Sequence, residues 1–167
     1  SGMDEPLGSH VGNALEVKEA IDVLAGRTRG PLLEMALFLG GQMLMASGLA
    51  KDAAAARRML EGALASGAGL EKLREMIVAQ GGDGGVCDDT GLLPKAPCIT
   101  PVRARRDGYL SHVNGTALGL AAQQMGAGRL CKEDIIDPAV GFVMEKRIGD
   151  FVAAGDAICT LHARSME

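Results

Sequence analysis

The stretch from Pro31 to Ala46 constrains this chain more than any other. It reads Leu32, Leu33, Met35, Ala36, Leu37, Phe38 and Leu39, then Gly40-Gly41-Gln42, then Met43, Leu44 and Met45, so it is apolar nearly all round. Gly30-Pro31 suits a helix start, because proline at the first position lacks only an N–H that would have no intrahelical partner. A helix without a polar face has to be covered on most sides. Glu34, Gln42 and the glycine pair interrupt it, the apolar run is well short of ~20 residues, and no Trp or Tyr flanks it, which argues against a membrane span. The sequence therefore predicts a buried core helix. Met35, Met43 and Met45 read as irregular core packing and not as sulfur ligands.

Local signals place three further helices in the first half. Asn13 followed by Glu16 has the form of a capping box, and Ala14, Val17, Ile21 and Leu24 recur at spacings of three and four until Gly26. Asp52 caps an alanine-rich helix that runs to Leu64, with Gly67 as its stop. Leu70, Leu73, Met76 and Ile77 form the stripe of the next, ended by Gly81-Gly82. Residues 83–97 are rich in Gly, Asp and Pro and read as a linker.

After Cys98 the pattern changes. Ile99 to Val113 is strand-like with a turn at Asp107-Gly108, and Thr116 to Met125 is a short helix closed by Gly126-Ala127-Gly128. Gly141 to Ile148 and Ala157 to His162 read as strands, with turns at Gly149-Asp150 and Gly155-Asp156. The expected class is α+β: a helical segment over 1–82, the linker 83–97, and a C-terminal α+β domain over 98–167 with a small antiparallel or mixed sheet.

Composition excludes several function classes. Aromatics are only 2% of the 167 residues, and 17 Lys+Arg stand against 21 Asp+Glu. Stacking platforms for bases need several exposed rings, and attraction to a phosphate backbone needs a basic balance, so nucleic acid is not an expected partner. Cys87, Cys98, Cys131 and Cys159 form no C-x-x-C pair, which argues against a zinc ribbon. Without a secretory signal, reduced thiols and a cytoplasmic location are expected.

Motif chemistry is sparse. No nucleotide-binding glycine motif or G-x-S-x-G elbow is present. Gly81-Gly82-Asp83-Gly84-Gly85 has no following lysine to reach a phosphate, and Gly126-Ala127-Gly128-Arg129 ends a helix, where carbonyls gather. His10, His112 and His162 are far apart, each more often a packing or surface residue than a base. Arg103 and Arg105 share a strand face and read as a solvated edge. Glu16 belongs to the capping box, while Glu19, one turn on, reads on residue type as a solvated helix acid.

A set of ordered blocks changes the reading of Glu19. Met3-Asp4-Glu5-Pro6-Leu7-Gly8 and Val11-Gly12-Asn13-Ala14-Leu15-Glu16-Val17-Lys18-Glu19-Ala20 resemble a segment of pyrimidine-nucleoside phosphorylases and their thymidine phosphorylase relatives. The likeness continues through Ala79-Gln80-Gly81-Gly82-Asp83, Leu92-Leu93-Pro94, Arg106-Asp107-Gly108-Tyr109 and Gly126-Ala127-Gly128-Arg129. It ends with Asp137-Pro138-Ala139-Val140-Gly141 and Val152-Ala153-Ala154-Gly155-Asp156. It covers essentially the whole chain, in family order.

The resemblance implies the C-terminal two-fifths of a longer subunit that cleaves a pyrimidine nucleoside with phosphate, giving the free base and a pentose 1-phosphate. Residues 1–82 would complete a phosphate-binding α/β domain, and 98–167 would be the family's hammerhead-like terminal domain. Met3 would continue a strand, and Ser1-Gly2 would be native sequence or a scar. The phosphate loops and the groups that hold the base lie upstream of Ser1, so no catalytic or organic-cofactor residue carries over and the chain alone is expected to be inactive. What carries over is a potassium-type site of bacterial members, which joins two upstream residues to positions matching Leu7, His10 and Glu19. Carbonyls of Leu7 and His10 and the carboxylate of Glu19 are hard oxygen donors suited to such an ion. With the upstream ligands absent, this half-site is expected to bind weakly or not at all.

The expected partners are therefore the nucleoside and phosphate, with no nucleic acid and no membrane. The family dimerises largely through its missing helical domain, so a homodimer is expected of the full-length enzyme and a monomer is open to this piece. A stand-alone binding or scaffolding module of the hammerhead type is the alternative. No lysine follows Lys146 to carry a swinging arm, which argues against a covalent cofactor.

Overall fold

The computed structural model describes residues 4–165, and the expectations for Ser1, Gly2 and Met3 lie outside them. The chain divides into two compact units. One joins the chain up to Val17 with the chain from Leu93 on, and the other is Lys18–Leu92. His10 and Val11 thus pair into the C-terminal sheet.

The second unit holds most of the helices. α1 (Asn13–Leu24) enters it from the first unit, followed by α2 (Pro31–Ala46), α3 (Ala53–Ala65) and α4 (Ala68–Ala79). Their ends follow the local signals. The Asp52 side chain accepts the Ala55 N–H at 2.7 Å, and Pro31 opens α2 behind the Gly30 cap. Gly26 and Gly67 take positive φ at 71° and 76°, a conformation that only glycine adopts freely. Val23, Leu33 and Leu37 form a buried cluster, with Leu32, Leu60 and Leu64 packed around it. Each buried leucine there contributes on the order of 2 kcal/mol. The segment after α4 is not slack. Arg74 donates two hydrogen bonds to the Asp88 carboxylate, at 2.7 and 2.8 Å, and a third to the Gly84 carbonyl at 2.8 Å. That pairing holds the Asp88 carboxyl below its usual range.

Burial corrects three sequence expectations. α2 is not covered all round: only Leu33, Leu37 and Gly41 are buried, while Phe38, Leu39 and Met43 are 61%, 52% and 67% exposed. In α1, Ala14 and Ile21 of the stripe are buried as expected, but Val17 is exposed and Leu15, left off the stripe, is buried in its place. Glu19 is not a solvated acid, since it is only 6% exposed.

The first unit is built on a four-stranded antiparallel sheet in the order β1-β4-β6-β2, formed by β1 (His10–Val11), β2 (Cys98–Arg103), β4 (Gly141–Met144) and β6 (Ala157–Ala163). A two-stranded ribbon pairs β3 (Gly108–Tyr109) with β5 (Phe151–Val152). α5 (Gly115–Ala122) is capped by Asn114, whose side chain accepts the Ala117 N–H at 2.9 Å, and it runs into a π-helical turn over Gln123–Ala127. The class is α+β, with an open sheet and no closed barrel. β2 lies on the sheet edge, and Arg103 at its end donates to the Gly155 carbonyl at 2.8 Å. The four cysteines are all free.

Two glycines decide how the N-terminal segment joins this sheet. Gly12 and Gly141 have φ of 129° and 153°, and each backbone passes against the other. A Cβ on Gly141 would overlap the Val11 carbonyl oxygen and stand 3.0 Å from the Gly12 Cα. A Cβ on Gly12 would overlap the Val140 carbonyl. We expect Gly141→Ala to destabilise this unit by ~3 kcal/mol or more, because strain and backbone overlap add and neither neighbour is a flexible side chain. Exposed Gly62, inside α3 with open space around it, should behave oppositely, Gly62→Ala stabilising by about 0.5–1 kcal/mol. Denaturant unfolding of the two variants checks both signs.

His162 of β6 lies opposite Gly141 of β4 and Ile99 of β2. Burial, with a smaller effect from the charge of His10, holds its imidazole below the ordinary 6.5. The unfolded chain then binds the proton more readily than the folded one. The penalty is absent well above 6.5 and grows as pH falls through that value. Unfolding free energy should therefore drop between about pH 7.5 and about pH 5.5, with a shallower drop for His162→Gln. Identical slopes in the two proteins would remove His162 as the source.

Candidate functional site

Of the residues singled out by the sequence, Leu7 and His10 belong to the sheet unit and Glu19 to the helical unit. From Asp4 to Ser9 the chain runs without regular structure into β1, which pairs antiparallel with β4, His10 opposite Val143 and Val11 opposite Phe142. The Ser9 carbonyl accepts the Met144 N–H at 2.6 Å, extending that pairing by one bond.

Arg147, just past β4, organises the turn. Its guanidinium pairs with the Glu5 carboxylate at 2.9 Å and donates to the carbonyls of Pro6 at 3.3 Å and Leu7 at 2.7 Å. Glu5 also accepts the Ile148 N–H at 3.1 Å. Both members of the ion pair are about one-quarter exposed, so solvent screens them only in part. The turn is thereby held as a row of carbonyl oxygens beside a cation. No sequence signal marks this pair, because its members stand 142 residues apart.

Of the predicted ion ligands, Leu7 offers its carbonyl, which already accepts the Arg147 N–H, while its side chain is exposed. His10 is half-buried in β1, its Nδ1 lying out of reach of solvent. Glu19, in α1, is the single buried charged side chain among the described residues. A buried carboxylate needs a hydrogen-bonding or positively charged neighbour.

The start of α1 corrects the capping box. Gly12, not Asn13, is the cap: its carbonyl accepts the Glu16 N–H at 2.8 Å, and its own N–H donates to the Glu16 carboxylate at 3.1 Å. Asn13 is already helical. The boundary moves because the Ala14 N–H is taken by the Pro138 carbonyl at 2.9 Å, a partner from the far end of the chain. Glu16 keeps the helix-start role read from the sequence, toward a different residue.

Nearby, Asp137 ties the π-helical turn to the entry of β4. Its N–H donates to the Gly126 carbonyl at 2.8 Å, its carboxylate accepts the Ala139 N–H at 3.0 Å, and Arg164 pairs with it at 2.7 Å. Asp107 accepts the Ala154 N–H at 2.7 Å and so fastens one end of the β3–β5 ribbon. These contacts are structural ties. Among the described residues, no group of three or more His, Cys, Asp and Glu side chains is placed to hold a metal ion. Nor is any helix long and apolar enough to cross a membrane. What the N-terminal turn offers chemically is hard oxygen donors held by Arg147, and the helical unit separately holds one buried carboxylate, Glu19.

Comparison with known proteins adds the remaining evidence. Residues 109–167 match the family model described as the pyrimidine nucleoside phosphorylase C-terminal domain. The chain is 44% identical over 163 residues to a pyrimidine-nucleoside phosphorylase of Geobacillus stearothermophilus, a match that covers 98% of this chain and 38% of that protein. A pyrimidine-nucleoside phosphorylase of Staphylococcus aureus strain USA300 is 42% identical over 167 residues, or 100% of this chain and 39% of its own length. The chain thus spans about two-fifths of the length of these relatives. With its end matching the family's C-terminal domain and its whole length matching the relatives, the chain belongs to the pyrimidine-nucleoside phosphorylase family, as a C-terminal portion.

Proposed function

We propose that this chain is the C-terminal part of an enzyme that cleaves a pyrimidine nucleoside with phosphate, and that it is inactive alone. The observation that carries this reading is identity of 42–44% sustained along essentially the whole chain. In the reaction, a phosphate oxygen bonds to the anomeric carbon of the pentose while the glycosidic C–N bond breaks and its electron pair leaves with the base. Charge develops on the departing base and on the sugar carbon, so the work of the enzyme is to place phosphate and stabilise that charge. The groups that do so belong to the upstream portion of the family subunit. Within this chain, the helices complete the phosphate-binding α/β domain and the sheet unit forms the terminal α+β domain. The domain holding the base closes on the other like a hinge. The complete enzyme is a cytoplasmic homodimer in this reading.

The same reading includes a potassium-type ion held by the carbonyls of Leu7 and His10 and the carboxylate of Glu19, together with upstream ligands. The donor chemistry supports it, hard oxygens suiting such an ion better than imidazole or thiolate would. Burial of Glu19 supports it too, since a nearby cation stabilises a carboxylate removed from water. The ion would fix the turn and the start of α1 relative to the upstream ligands.

Two measurements test this. The purified 167-residue chain should show no phosphate-dependent release of uracil or thymine by absorbance. A chimera of the Geobacillus stearothermophilus relative, carrying this chain in place of its matched region, should show turnover. Activity of the chain alone would move the catalytic groups into it, and a folded but inert chimera would sink the proposed reaction. In the chimera, Glu19→Gln should raise the potassium concentration for half-maximal activity by ~10-fold. An unchanged requirement would leave Glu19 a structural residue only.

A further inference from the structure

We propose that the outer face of α2 is a permanent docking surface for the upstream portion of a pyrimidine-nucleoside phosphorylase subunit. The inference rests on the family reading above and adds to it the surface through which the two portions meet. α2 buries one stripe, Leu33, Leu37 and Gly41, spaced four residues apart. The residues on the other side of the helix are no more polar. Leu39 and Met43 stand 52% and 67% exposed there, Phe38 flanks them at 61%, and Met35 is half-buried. A surface helix of a finished protein carries charge on that side. Glu34 and Gln42 are the helix's only polar side chains, and Glu34 is bound to Arg57 by two hydrogen bonds of 2.8 and 2.9 Å. Beside this face a cavity of about 250 Å³ opens between α2 and α3, lined by Leu37, Phe38, Gly41, Met45 and Ala53 together with the polar Glu34, Gln42 and Arg57. It offers a socket for an apolar side chain of the partner.

The occupant follows from what the matched relatives contain beyond the region found here. About three-fifths of their length lies outside the match. A face this apolar fits a neighbour that never leaves, because surfaces that associate and separate keep a more polar character. Methionine suits it as well: Met35 and Met43 are unbranched and adapt to whatever surface they meet.

Methionine oxidation reads the face directly. The probe is hydrogen peroxide, with Met43 sulfoxide followed by peptide mass spectrometry, in the 167-residue chain and in the chimera described above. Met43 should oxidise readily in the chain alone and at least ~10-fold more slowly in the chimera, with the urea-unfolded chimera setting the unprotected rate. Equal rates in the two folded proteins would overturn the proposal. So would protection in the chain alone that disappears on dilution, which would make a second copy the occupant. As a second measurement, Leu39→Lys combined with Met43→Lys should leave melting of the isolated chain unchanged and lower that of the chimera by ~10 °C or prevent its assembly. An unaffected chimera overturns the proposal. If the chimera does not fold, the upstream portion and this chain are co-expressed as separate polypeptides. Copurification that the double lysine variant abolishes supports the surface; copurification unchanged by it, or none with the unsubstituted chain, overturns it. The two readings separate cleanly. A chimera that cleaves nucleoside while Met43 oxidises as in the chain alone keeps the function and loses the docking face. A folded, inert chimera with Met43 protected does the reverse.

Discussion

The passage of Gly12 against Gly141 is the constraint on which the sheet unit depends. Two backbone segments 129 positions apart lie closer than any side chain permits, and both take a φ that disfavours every residue except glycine. This contact seats β1 beside β4 and leaves Gly12 as the cap of α1. It also presents the Ala14 N–H to the Pro138 carbonyl. The Arg147–Glu5 pair then braces the turn that leads into the crossing. Without the close approach, the N-terminal segment would have no register against the sheet.

The blocks that carry the family resemblance answer one another in space, which gives them a physical meaning. Asp137 opens one block and bonds through its N–H to Gly126, which opens another. Asp107, in the Arg106-Asp107-Gly108-Tyr109 block, accepts the Ala154 N–H of the Val152–Asp156 block, and β3 pairs with β5 beside it. The block that begins at Val11 crosses the Gly141 end of the Asp137–Gly141 block through Gly12. Each is a turn or a close contact whose geometry needs glycine, or an aspartate that accepts backbone N–H groups. They are the fixing points of a fold.

The helical unit shows the opposite situation, in which local chemistry is satisfied and packing is not. Its caps and glycine stops are all made within a few residues, so its helices form where the sequence places them. α2 nonetheless leaves Phe38, Leu39 and Met43 more than half exposed. A side chain's period along a helix predicts which residues share a face, but not whether the chain supplies a second layer to cover that face. That is why a helix read as core turns out half bare.

What the sequence determined by itself were the features set by near neighbours. Asp52, Pro31, Gly26 and Gly67 bound their helices, Glu16 sits at a helix start, β6 has nearly its expected extent, and the ordered blocks identify the family. The run read as strand-like from Ile99 to Val113, by contrast, is strand only over Cys98–Arg103 and Gly108–Tyr109. Capping, φ preference and turn chemistry act over three or four residues, so they can be read in order along the chain. Tertiary structure alone decided the rest. It moved the cap of α1 to Gly12, formed a two-residue strand too short to have a period, joined Arg147 to Glu5 and Leu7, and buried Glu19. Each of these depends on a partner more than a hundred residues away or on the depth at which a residue comes to lie. Neither is a property of spacing, because both arise only when distant segments are brought together and water is removed from between them.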